Sequence, residues 1–150
     1  MAWPTVTGVR EKLGDAYATE PADTVIQSFL DRRIAQIKER TGSDFINPET
    51  GEEDVPETIF KWVLNYTCAD VIFRELTGKD AADVLEYSLG ELKESKDPNV
   101  KLKLSLIEAL VESAEIALKQ YFMQQRNFYD YASEVEEEYE RSLIFRRSSP

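Results

Sequence analysis

The chain has 150 residues, a net charge of −11, no histidine and one cysteine, Cys68. That length favours one domain with a real core, and one cysteine excludes a disulfide framework within the chain and fits a reducing compartment. Without histidine, catalytic triads, zinc sites and Glu-x-x-His di-metal bundles lose their usual parts, and the acid excess argues against tracking nucleic-acid phosphates or an anionic membrane.

The opening Met1-Ala2-Trp3-Pro4 lacks the basic and apolar regions of a signal peptide. No stretch approaches the roughly 20 apolar residues that span a bilayer. Synthesis in the cytosol is the expectation. Residues 5–13 read as a short first helix stopped at Gly14, with Val6, Val9 and Leu13 on one side. A second helix comes next, with Thr19 as its expected N-cap and Pro21 in its first turn. Its apolar stripe is Ala22, Val25, Ile26, Phe29, Leu30, Ile34 and Ile37. Asp31, Arg32, Arg33, Lys38, Glu39 and Arg40 are expected on the wet side, and Gly42 ends the helix.

Residues 43–54 form a polar loop with a turn at Asn47-Pro48-Glu49-Thr50-Gly51. Asp54-Val55-Pro56-Glu57 has the form of a capping box. The third helix runs on to about Leu76, with Gly78 as its stop, and is apolar almost all round. Such a helix is normally surrounded by others, so it is expected at the centre of the domain. Cys68 lies on it and reads most simply as a small core residue. Asp70 and Arg74 are spaced to pair, either as a buried switch or, more simply, in solvent.

In 80–96 the alternation of Leu85, Tyr87 and Leu89 with polar residues, and Gly90, favour an extended piece or small hairpin near 87–93. The last and longest helix starts at Asp97-Pro98. Val100, Leu104, Ile107, Val111, Ala114, Leu118 and Tyr121 keep a 4,3 spacing, widened by Leu106, Leu110 and Ala117. From 98 to 126 it would span roughly 43 Å, against a radius of gyration near ~15 Å for a domain of this size. The chain beyond 126 is therefore expected to leave the core. Residues 127–150 carry the acid run Glu134, Glu136, Glu137, Glu138 and Glu140, most simply a solvated stretch. Leu143, Ile144 and Phe145 then sit between arginines. Three large apolar side chains near a chain end call for cover, in cis or in trans.

Chemistry-bearing motifs are sparse. The six glycines are scattered at turn positions rather than gathered in a phosphate loop. Glu108, Glu112 and Glu115 share one face of the last helix, a spacing that Mg²⁺ sites use. They lie opposite the apolar seam, where ordinary wet-face carboxylates are found. Trp3 and Trp62 read as packing residues rather than base-stacking platforms. No catalytic, cofactor or metal residue is assigned, and the expectation is a non-enzymatic assembly or binding protein.

Leu13-Gly14, Arg40-Thr41-Gly42 closing the second helix, Val55-Pro56-Glu57 entering the third, and Ser88-Leu89-Gly90-Glu91 before the last follow one another along the chain. Taken in that order, these segments resemble the head–tail connector (adaptor) proteins of tailed phages and tailed archaeal viruses. The resemblance covers residues 5 to about 125 by pattern; the acidic C-terminal stretch departs from it. It implies a mainly α, compact bundle with a buried central helix, a long final helix and a projecting C-terminal arm. The body would be 1–126 and the arm 127–150. It further implies a virion protein of the neck, made in the host cytoplasm. Such a protein forms a ring, typically of twelve, between the portal protein and the next neck or tail-completion protein. DNA passes through without specific binding, and no membrane is involved. In this reading Tyr139, Arg141, Leu143, Ile144, Phe145, Arg146 and Arg147 dock on the portal. The alternative is a helical cellular interaction or regulatory protein that offers the same segment to one soluble partner.

Overall fold

Thr5 opens the first helix, α1 (Val6–Leu13), by accepting the Gly8 amide on its hydroxyl at 3.2 Å. Gly14 closes it at φ 88°, a conformation open to glycine, and its amide donates to the Arg10 carbonyl. In the computed structural model, residues 1–78 and 97–148 are described, with side chains through residue 126. The elements are α1, a 3-10 turn (Asp15–Tyr17), α2 (Asp23–Thr41), α3 (Glu57–Thr77) and α4 (Pro98–Ser148). The protein is mainly α, as the periodicity implies. No described helix is long and apolar enough to cross a membrane.

α2 starts later than the sequence suggests. Thr19 does not cap it and Pro21 is not in its first turn; Ala22 is the residue that precedes Asp23. The cause lies in α1. Arg10 donates to the Tyr17 carbonyl at 2.7 Å, to the Pro21 carbonyl at 2.6 Å and to the Asp23 carboxylate at 2.6 and 3.1 Å. With its carbonyl turned toward Arg10, Pro21 stays in the loop. Beyond it, Ile26, Phe29, Leu30 and Ile37 are buried along the expected stripe. Gly42 ends the helix in the left-handed conformation, its amide donating to the Lys38 carbonyl.

The loop 43–54 is built rather than loose. Phe45 is buried at a positive φ of 56°, and Trp3 meets its ring edge-on at 5.6 Å. Asn47 closes the turn, its side chain accepting the Glu49 amide and its carbonyl the Gly51 amide. Ile46 and Glu53 form an antiparallel bridge. The expected capping box before α3 is not formed: Pro56 holds the N-cap position, where no side chain caps the helix. Asp54 is engaged elsewhere, its amide donating to the Phe45 carbonyl and its carboxylate facing the Met1 ammonium at 3.8 Å.

α3 is the central helix. Ile59, Trp62, Val63, Cys68, Ala69, Val71, Ile72 and Phe73 are buried around most of its circumference. α1 and α2 both pack on it. Ala69, Ile72 and Phe73 meet Ile107 of α4 in one cluster, bordered by Leu13, Tyr17, Leu76, Leu110 and Val111. Trp3 and Trp62 are both packing residues, Trp62 with no exposed surface.

α4 begins at Pro98 as expected but does not stop near 126; it continues unbroken to Ser148. Residues 99–149 contain no glycine and no proline, so nothing in the backbone interrupts the helix. Leu104, Ile107, Ala114 and Leu118 of the seam are buried, as is Ala117, whereas Leu106 is 47% exposed and does not widen the seam. The contacts divide the chain into two compact units, Met1–Leu118 and Lys119–Pro150. The hairpin expected near 87–93, and with it Ser88-Leu89-Gly90-Glu91, lies outside the described residues.

Candidate functional site

The polar side chains of α3 should not be loose inside an apolar core, because a buried charge or donor without a partner is costly. Asp70, Tyr66 and the Asn65 amide nitrogen are taken up by a polar seam to which α2, α3 and α4 each contribute, whereas the Thr67 hydroxyl is buried without a hydrogen-bond partner. Asp70 of α3, 1% exposed, receives two hydrogen bonds from Arg33 of α2: Nε to Oδ2 at 2.8 Å and Nη2 to Oδ1 at 2.6 Å. This parallel fork is the geometry a guanidinium offers a carboxylate and a lysine cannot. The third guanidinium nitrogen of Arg33, Nη1, donates to Gln36 at 2.8 Å. The sequence suggested Arg74 as the base for Asp70 and placed Arg33 on the wet side. Arg33 closes on Asp70 from α2, its side chain only 12% exposed.

The guanidinium carbon of Arg33 lies 4.4 Å from the centre of the Tyr66 ring, on its face. The Tyr66 hydroxyl donates to Glu115 of α4 at 2.6 Å, and Arg40 of α2 donates to both Glu115 oxygens at 3.2 and 3.4 Å. One turn before Tyr66, Trp62 tilts against its ring at 4.6 Å. Asn65 donates to the Ser113 hydroxyl at 3.2 Å. Ion pair, ring contact and hydrogen bond thus succeed one another from Asp70 to Glu115.

The electrostatics are set by these contacts. Burial works against ionising Glu115. The Tyr66 hydroxyl, the Arg40 guanidinium and the Trp62 indole outweigh it, so the carboxyl titrates below its ordinary value. The Trp62 N–H reaches no acceptor at hydrogen-bond geometry, and its effect on Glu115 is that of a nearby dipole. Tyr66 is pushed well above the usual phenol range by burial first and by its bond to Glu115 second. The seam therefore holds a carboxylate ionised and a phenol protonated at neutral pH. Its chemical effect is to fix the relative register of three helices.

Glu115 is the residue that separates the carboxylate set on α4. Tyr66 and Arg40 occupy it, while Glu112 is exposed. Among the described residues no group of three or more His, Cys, Asp or Glu side chains could hold a metal ion.

A second polar group borders a cleft of about 370 Å³, lined by Tyr17, Glu20, Pro21, Val71, Arg74 and Glu75 among others. Glu75 accepts from the Tyr17 hydroxyl on one oxygen and from the Lys103 ammonium on the other. Burial opposes its ionisation, but the Lys103 and Tyr17 bonds lower its titration below the ordinary value. Tyr17 is correspondingly raised, by burial first and then by Glu75.

The residues that the sequence offered for partner binding, Tyr139, Arg141, Leu143, Ile144, Phe145, Arg146 and Arg147, all fall on the last part of α4. Their side chains lie outside the described residues. The seam has a signal in the sequence, since Asn65, Tyr66 and Asp70 stand in a helix otherwise apolar nearly all round. The sequence matches no protein-family model and no curated protein, and the fold matches no solved structure.

Proposed function

We propose that this chain is a structural virion assembly protein, a head–tail adaptor subunit that forms a ring between the portal and the neck or tail. The observation that carries the reading is the last helix. Its 51 residues run without interruption from the core cluster around Ile107 to the segment 141–147. That segment combines Leu143, Ile144 and Phe145 with Arg141, Arg146 and Arg147 in a chain of net charge −11. Large apolar side chains at the centre of a contact supply most of its affinity, and rim charges supply little. Leu143, Ile144 and Phe145 are accordingly assigned to portal pockets, with the arginines set against acidic portal groups. The acidic balance suits a channel wall along which DNA slides without sticking. Twelve subunits is the stoichiometry that the resemblance implies.

The test is to mix the purified protein with the portal protein of its own genome and image the mixture by electron microscopy, beside a chain ending at Asp130. Added ring density on the portal, lost on truncation, is the expected result. Free portal with unbound protein in both samples would remove the adaptor reading. It would favour a soluble protein that presents the same segment to one cellular partner.

A further inference from the structure

We draw no further inference here: the strongest candidate, the exposed apolar face of α4 that carries Leu102, Leu106 and Ile116, supports none because nothing in the structure shows what covers it.

Discussion

Arg33 of α2 and Asp70 of α3 meet as a two-bond fork at 2.6 and 2.8 Å, with the carboxylate 1% and the arginine side chain 12% exposed. Neither partner can regain water if the other is removed. Arg33→Met should therefore destabilise the fold by about 3–5 kcal/mol, the cost of stranding a buried charge. Replacing both, as Arg33→Met with Asp70→Leu, should recover much of that loss, because two apolar groups leave no charge behind. Urea unfolding of the two single variants and the double closes the cycle. A double variant as unstable as the sum of the singles would contradict this account.

Tyr66 and Glu115 predict a stability plateau with two edges. The folded-state titration of Glu115 is lowered, so its contribution is present above the unfolded value, about 4.3, and is lost as pH falls through the folded one. Tyr66 is raised, so its contribution is present below the unfolded value of about 10 and is lost as pH rises through the folded one. Tyr17 and Glu75 shift in the same two directions and steepen the same edges. Unfolding free energies measured between pH 3 and 11 should show both limbs. Glu115→Gln should flatten the acid limb and Tyr66→Phe the basic one, each leaving a remainder from the Tyr17–Glu75 pair.

Most of the helical layout was legible in the residues because it obeys local rules. Gly14, Gly42 and Gly78 stop helices where glycine freely takes positive φ, and the all-round apolar face of α3 identifies it as the central element. The errors came where a distant side chain decides. Periodicity puts Arg33 in water because most of α2's polar residues are there, whereas Asp70 and the Tyr66 ring on another helix draw it in. The start of α2 is set by Arg10, thirteen residues before Asp23. Asp54 has the spacing of a cap but is held by Phe45 and Met1. α4 runs past 126 for a local reason: the residues turn polar and aromatic at 127, but no glycine or proline occurs from 99 to 149 to stop the helix.

Cys68 is fully buried, with its thiol directed at the Val9 carbonyl at 4.0 Å and pushed up to about 12, chiefly by burial. At pH 8 a thiol reagent should modify it only through opening of the fold. The labelling rate should track the denaturant dependence of unfolding and reach the rate of a free thiol once the chain is unfolded. Fast labelling of the native protein would show that α1 and α3 separate locally.

Arg10 provides the sharpest separation of surface from structural charge. Its partner Asp23 is 77% exposed, so the ion pair itself is a weak surface interaction. Its bonds to the Tyr17 and Pro21 carbonyls are different: they hold the loop between α1 and α2 from inside, on a side chain 15% exposed. Asp23→Ala should therefore cost less than about 1 kcal/mol, whereas Arg10→Ala should cost about 2–4 kcal/mol for two charge-assisted bonds. Arg10→Lys should recover little, since one ammonium cannot span both carbonyls and the carboxylate in the directions the guanidinium fork reaches. Amide exchange across 15–22 should rise in Arg10→Ala and Arg10→Lys but not in Asp23→Ala. Equal effects of Arg10→Ala and Asp23→Ala would place the stabilisation in the ion pair and remove the carbonyl contacts from the account.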